Sequence, residues 1–231
     1  MTKDRGRRRG PEGHGSAVVK VRSTRRRKAS STQWLSRQLN DPYVAEARRL
    51  GYRSRAAFKL IELDERFRLL RPGRCVVDLG CAPGGWAQVA VARVGRRGRV
   101  VGIDVAETAP LLGATLLSAD IRDPATPASL TAALGGLADI VLSDMAPPAT
   151  GHAATDHLRI VALAEDAFAV ASQILKPGGA FVAKVFQGGA EGLLLAALKC
   201  DFAELRHAKP PASRAESAET YVVATGFRGA R

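Results

Sequence analysis

From Cys75 onward the chain alternates short apolar runs with stretches of helical periodicity, and this alternation restricts the possible folds more than any other feature. Cys75-Val76-Val77-Asp78-Leu79 reads as a buried strand, and a helix is predicted from about Trp86 to Val94. Further strands are predicted at Arg99–Asp104, Ala114–Ser118 and Asp139–Ser143, with a short helix over 127–134 before the last of them. A long helix over Asp156–Leu175 is expected to stop at Lys176-Pro177-Gly178-Gly179. A fifth strand, Ala180–Phe186, leads into a helix over Glu191–Cys200. Strands near 202–207 and 220–227, joined by the non-helical stretch Ala208–Ala218, predict a closing antiparallel hairpin. Apolar strands separated by helices specify an α/β fold with a doubly wound, mostly parallel sheet.

Ahead of this unit, Trp34, Leu35, Leu39, Tyr43, Val44 and Ala47 recur at helical spacing, with Asp41 as an N-cap and Pro42 at the first helical position. A second helix is predicted over Ser54–Phe67, ending before Arg71-Pro72-Gly73. Residues 1–30 are different in kind, because they contain almost no large apolar residue and carry Arg7-Arg8-Arg9 and Arg25-Arg26-Arg27-Lys28. The first forty residues hold twelve Lys and Arg against Asp4 and Glu12, a net of +10 out of the chain's +13. Such a segment cannot offset its ordering entropy by burial. The expected organisation is therefore a disordered basic arm, 1–30, followed by a single domain, 31–231. The charge asymmetry suggests a polyanionic partner, foremost nucleic acid, with a solubilising tail as the plainer alternative.

Composition removes other classes. With 46% hydrophobic residues the chain is not disordered throughout. No apolar run approaches the roughly 18 to 20 residues of a membrane span. The arm has no apolar h-region, and Asp4 and Glu12 oppose its reading as a transit peptide. Three cysteines, Cys75, Cys81 and Cys200, without a Cys-x-x-Cys pair, point away from a disulfide framework or zinc site and toward a reducing compartment.

In a doubly wound sheet the ligand sits where the first strand turns into the next helix. That turn reads Asp78-Leu79-Gly80-Cys81-Ala82-Pro83-Gly84-Gly85-Trp86. Its glycines let backbone approach a ligand, but it is not the dinucleotide pattern G-x-G-x-x-G, and Pro83 removes a donor where a pyrophosphate would need one. A cofactor without phosphate fits better. Asp78 suits a cationic group such as an amino-acid ammonium. Asp104, at the end of the second strand, suits ribose hydroxyls, and Asp120, after the third, suits an adenine amino group. Each carboxylate alone is an ordinary loop residue; together they describe S-adenosylmethionine. Two further strand ends bear charge: Asp144 in Ser143-Asp144-Met145-Ala146-Pro147-Pro148, and Lys184 inside Phe181–Phe186. A lysine in a buried strand is costly unless paired, and here it is expected to face Asp144 across one crevice.

The stretches RSRAAFKL (53–60), VVDLGCAPGGW (76–86), LSDMAPP (142–148), GGAFVAKVFQG (178–188) and SRAESAETYVVATGF (213–227) closely resemble the FtsJ family over roughly Trp34 to Phe227. The resemblance implies a Rossmann-like S-adenosylmethionine-dependent methyltransferase fold. It implies methylation of a uridine ribose 2′-hydroxyl in the A-loop of 23S rRNA, in the large ribosomal subunit or its late precursor, in the bacterial cytoplasm. A Lys-Asp-Lys-Glu tetrad falls on Lys59, Asp144, Lys184 and Glu219. Family cofactor contacts fall on Gly84, Trp86, Asp104, Asp120 and Asp144, with no metal. Cys81 stands where many relatives have a small residue such as alanine.

On this reading the enzyme mainly aligns an in-line displacement. Lys184 orients or deprotonates the hydroxyl, helped by burial and by nearby Lys59, while Asp144 and Glu219 hold the lysines. Arg53, Arg55, Lys59 and the Ser213-Arg214 loop are expected beside the crevice, facing phosphates. A 2′-O-methyltransferase acting on a tRNA anticodon loop or an mRNA cap is the nearest alternative, and a non-catalytic ribosome-assembly factor a more distant one. A nicotinamide dehydrogenase is disfavoured by the missing glycine pattern. A monomer is expected.

Overall fold

The computed structural model describes residues 39–148, 150–186 and 191–229; the basic arm, with Trp34 and Leu35, lies outside the described residues. The first helix, α1 (Pro42–Leu50), begins where Asp41, in an extended conformation, accepts the Tyr43 N–H at 3.0 Å, and it ends at Gly51 in the left-handed region. This is the cap-and-proline start expected from the sequence. After it come α2 (Ala56–Phe67), β1 (Cys75–Leu79), α3 (Gly85–Val94), β2 (Arg99–Asp104), β3 (Ala114–Ser118), α4 (Thr126–Leu134) and β4 (Ala138–Ser143). The chain closes with α5 (Ala153–Ile174), β5 (Leu175–Phe186), α6 (Gly192–Asp201), β6 (Phe202–Ala208) and β7 (Glu219–Phe227).

The seven strands form one sheet in the order β3-β2-β1-β4-β5-β7-β6. The five from β3 to β5 are parallel, and β7 inserts antiparallel between β5 and β6. Successive strand residues face opposite sides, so the apolar strands build two cores. Val76, Ile140, Leu142, Val182, Tyr221 and Val223 pack under α2 and α3 against Leu60, Leu63, Trp86 and Ala90. Val77, Val101, Val141, Phe181, Val222 and Ala224 pack on the other face against Leu130, Ala167, Ile174 and Leu198 from α4, α5 and α6. Each fully buried large aliphatic side chain stabilises the fold by about 2 kcal/mol relative to exposure. Among the described residues, no helix is long and apolar enough to cross a membrane.

One boundary differs from expectation. Lys176–Gly179 does not form a loop after the long helix; α5 stops at Ile174 and β5 begins at once with Leu175, paired to Ala138. Leu175 is buried and extended, and Lys176 is biased to extended backbone by the following proline. The register shift between Ala138 and Ile140 takes up the irregularity, the position at which a strand tolerates proline and glycine. Because β1 lies between β2 and β4 with helices departing to opposite faces, the chain reverses direction across the sheet at β1/β4. The loops after β1, β2, β3 and β4 therefore open a crevice at the carboxyl ends.

Candidate active site

The crevice is built by the loop after β1. Gly80 has φ 74°, its N–H reaches the Ile103 carbonyl at 2.8 Å, and a Cβ there would lie 2.1 Å from Met145 Cγ. Only glycine lets the loops after β1 and β4 close to this distance. Gly84, with φ 109°, precedes α3 and lies beneath the Arg53 guanidinium. Asp104 organises the same loop, accepting the Ala82 N–H at 2.9 Å and the Ala106 N–H at 2.8 Å. Asp120 accepts the Arg122 backbone N–H at 3.0 Å and pairs with the same residue's guanidinium at 3.0 Å. Those contacts hold its carboxyl below the ordinary carboxylate value, the guanidinium hydrogen bond being the largest cause. Gly80, Ala82, Asp104, Asp120, Asp144 and Met145 are among the lining of a cavity of about 640 Å³, within the range of small-molecule sites.

Trp86 is not on the cavity wall. Its side chain is buried, donates Nε1–H to the Ala56 carbonyl at 2.8 Å and packs 5.8 Å from the Tyr221 ring. What it offers the loop is a backbone N–H in the first turn of α3, where helical donors lack partners within the helix. Asp78 is buried behind the loop, and its Oδ2 has no hydrogen-bond partner among the described residues. Burial first, then Asp144 and Asp104, push its carboxyl well above the usual range. The same environment acts on Cys81, whose thiol burial and Asp78 push up to about 12. At pH 8 a thiol of that kind is ionised to only about one part in ten thousand. Brief iodoacetamide treatment at pH 8 is therefore expected to modify the exposed Cys200 and leave Cys81 untouched. Peptide mass spectrometry reads the outcome, and rapid labelling of Cys81 in the folded chain would contradict its burial.

Beside the cavity, four charged side chains from α2, the loop after β4, β5 and β7 meet in the interior. Lys184 Nζ lies 2.8 Å from Asp144 Oδ1 and donates to the Asp144 carbonyl at 2.8 Å. Lys59 Nζ is 2.7 Å from Glu219 Oε1, 2.9 Å from Oε2 and 3.6 Å from Asp144 Oδ1. Lys184 and Glu219 approach to 3.9 Å. Both lysines are buried, with 6% of Lys59 and 7% of Lys184 exposed, so each must be paired to be tolerated. Burial works to raise the Asp144 carboxyl, but the ammonium groups of Lys184 and Lys59 outweigh it and hold the group below its ordinary value. Glu219 shows the same balance, with burial opposed first by Lys59 and then by Lys184. Lys59, Asp144, Lys184 and Glu219 thus form one neutralised cluster, joined to the cavity through Asp144.

Two members of this cluster were not anticipated. Tyr221 donates its hydroxyl to Asp144 Oδ1 at 2.6 Å and lies 3.3 Å from Glu219 Oε1. Burial and the two carboxylates keep that phenol protonated far above its usual range. Ser213 Oγ donates to Glu219 Oε1 at 2.7 Å. Strand periodicity contained the signal for Tyr221, which stands two residues after Glu219 and so shares its face.

Arg53 and Arg55, expected to face phosphates, are instead committed inside the protein. Arg53 donates to the carbonyls of Pro83, Ala109 and Pro110, tying the loop after β2 to the loop after β1. Arg55 lies 2.9 Å from Asp41 and donates to the Ala212 carbonyl at 2.6 Å, fixing the connection between β6 and β7 against α1. Arg214 also reaches Asp41, at 3.3 Å.

Comparison with known proteins agrees with this architecture. Residues 52–227 match the family model described as FtsJ-like methyltransferase. A protein of Paramagnetospirillum magneticum named ribosomal RNA large subunit methyltransferase E is 62% identical over 226 residues, covering 95% of this chain and 93% of its own length. One of the same name from Rhodospirillum rubrum is 59% identical, covering 95% and 85%. Among solved structures, a Plasmodium falciparum protein described as a ribosomal RNA methyltransferase superposes with a TM-score of 0.70 at 31% identity, over 78% of this chain and all of the other.

Proposed function

The chain belongs to the FtsJ-like methyltransferase family, and from that premise we propose that it methylates the ribose 2′-hydroxyl of a uridine in the A-loop of 23S rRNA. The observation that carries the proposal is the buried cluster of Lys59, Asp144, Lys184 and Glu219 beside a cavity lined by Asp104 and Asp120. The cavity suits S-adenosylmethionine: Asp104 would accept from ribose hydroxyls and Asp120 from the adenine amino group, with the backbone at Gly80 and Ala82 on the lining, whereas Gly84 lies under Arg53 and enters as a contact only through the family resemblance. Asp144 and Trp86, the latter by its backbone N–H, complete the contacts. Asp104 and Asp120, both on the cavity lining, are the carboxylates placed to favour a ligand bearing positive charge, while Asp78 lies buried behind the loop and Asp144 is paired with Lys184 and Lys59. When bound, the cofactor supplies a methyl group already activated on a sulfonium.

The side chains of the cluster do the rest. Lys184, held by Asp144, would orient the 2′-hydroxyl for in-line attack; to act as base it must first release its own ammonium proton to solvent, after which its neutral amine would take up the hydroxyl proton as the new bond forms. Lys59 and Glu219 hold that pair, and Tyr221 and Ser213 add hydrogen bonds to Asp144 Oδ1 and Glu219 Oε1, the oxygens that the lysines also contact. Residues 31–231 act as one catalytic domain, working as a monomer in the cytoplasm. The arm over 1–30 adds phosphate contacts that raise affinity and salt sensitivity without entering the chemistry.

The test offers the purified full-length chain large-subunit particles, naked 23S rRNA and tRNA, with S-adenosylmethionine carrying a labelled methyl group. Mass-spectrometric mapping is expected to place the label on one uridine 2′-oxygen of large-subunit rRNA. Label on tRNA, on a base, or on no RNA would overturn the assignment.

A further inference from the structure

At the end of the sheet opposite the crevice, two loops precede the amino ends of β1 and β2. With the last residues of α2 and α3 and the first of β2, residues 64–74 and 93–99 hold eight arginines against two carboxylates, Asp64 and Glu65, a net of +6 in eighteen residues. Residues 41–231 as a whole carry a net of only +3, so the remainder of 41–231 outside these segments is net acidic at −3. Backbone hydrogen bonds lock the loops together: the Gly73 N–H reaches the Val94 carbonyl at 2.8 Å, and the Arg99 N–H reaches the Arg74 carbonyl at 3.1 Å. Two of the arginines are occupied, Arg93 near Asp64 at 3.5 Å and Arg99 on the Leu134 carbonyl at 2.8 Å. Arg68, Arg71, Arg74, Arg96 and Arg97 make no side-chain hydrogen bond or ion pair among the described residues; all but half-buried Arg74 are exposed.

Fold stability does not explain such a cluster, because like charges gathered without acids repel one another and weaken the compact state. Guanidinium groups with no intramolecular acceptor are suited to phosphate oxygens, which they bind in bidentate fashion. The two loops contain none of the exposed large apolar side chains that would anchor a membrane surface. We propose that these loops form a second RNA-backbone surface, separate from the active site, which grips another segment of the same RNA. The six residues of β2 put the surface about 20 Å from the crevice. A single-stranded target nucleotide in the crevice would thus be held together with phosphates of a neighbouring helix. This rests on RNA being the substrate, and it adds a surface that methyl transfer itself does not require.

The experiment compares the full-length parent with Arg71→Gln/Arg96→Gln/Arg97→Gln and with the charge-preserving Arg71→Lys/Arg96→Lys/Arg97→Lys. Binding to a large 23S rRNA fragment and to a short stem-loop carrying the target uridine is measured from 50 to 300 mM KCl. For the glutamine variant, the slope of log affinity on log salt is expected to fall by about 2 on the large fragment, with affinity near 0.15 M down roughly tenfold. The lysine variant should keep the parent's slope, and the short stem-loop should be bound and methylated equally by all three proteins. An unchanged slope for the glutamine variant overturns the proposal. So does an equal loss on the short stem-loop, or loss of binding to phosphatidylglycerol vesicles with RNA binding intact, which would assign the surface to lipid. A parent chain that binds RNA but transfers no methyl group overturns the function proposed above, while the slope comparison still decides the surface.

Discussion

Lys184→Ala is expected to lower the rate of methyl transfer by roughly 100- to 10,000-fold, the range lost when a positioned proton-transfer group is removed. S-Adenosylmethionine affinity should stay close to the parent's. The separation follows from where the side chain lies. Its ammonium is held by the Asp144 carboxylate and carbonyl, each at 2.8 Å, and does not line the cavity bounded by Asp104 and Asp120. Single-turnover kinetics on the rRNA substrate and calorimetric titration with the cofactor read the two quantities independently. Turnover near the parent's would remove Lys184 from the chemistry. Parallel loss of cofactor binding and turnover would make it a structural support for the cavity.

Asp144→Ala carries the second large effect, on stability as well as rate. The substitution deletes the carboxylate nearest Lys184 and the acceptor of the Tyr221 hydroxyl, leaving Lys184 with a carbonyl and a glutamate 3.9 Å away. Breaking a buried pair from one side costs about 3 to 5 kcal/mol, because an uncompensated charge remains in the interior. Adding Lys184→Met to Asp144→Ala removes that charge and is expected to restore at least about half of the loss, a coupling that a double-mutant cycle in urea measures directly. If the double substitution were less stable than Asp144→Ala alone, the cost would lie in packing and not in charge.

The same pairing sets the response to acid. Asp144 and Glu219 are held below their ordinary values in the fold, so they bind fewer protons there than in the unfolded chain. Their contribution is complete above the unfolded values near 4 and is lost as pH falls through the lower folded values.

Much of this was readable before the structure because the central strands are buried, so they appear as apolar runs broken only by single charged residues, Asp78 in Cys75–Leu79 and Lys184 in Phe181–Phe186. The strand ends then carry the acids, and Asp104, Asp120 and Asp144 do gather at one cavity. What was not readable depended on contacts between residues far apart in sequence. Arg53 and Arg55 look like phosphate ligands until the fold brings Ala109, Pro110, Asp41 and Ala212 to them; a guanidinium satisfies carbonyls as readily as phosphates. Trp86 sits in a ligand loop by sequence, yet its indole turns inward to Ala56. The Lys176–Gly179 stretch has the composition of a helix stop, and only the pairing of Leu175 with Ala138 ahead of it makes it an irregularity within β5 and not a free loop.

The antiparallel pairing of β5 with β7 sets Lys184 opposite Tyr221 and Phe186 opposite Glu219. Three members of the buried cluster therefore keep their spacing through main-chain hydrogen bonds, whatever their side chains. Sliding β7 by a single residue would turn Glu219 and Tyr221 together onto the α5 side of the sheet. Insertions and deletions should thus divide sharply in their consequences. One residue gained or lost so that Glu219 and Tyr221 shift against β5 is expected to remove both side chains from the cluster at once. Change of length in the connection over 209–218 is open to gradual divergence, so long as Ala212 and Ser213 still reach Arg55 and Glu219.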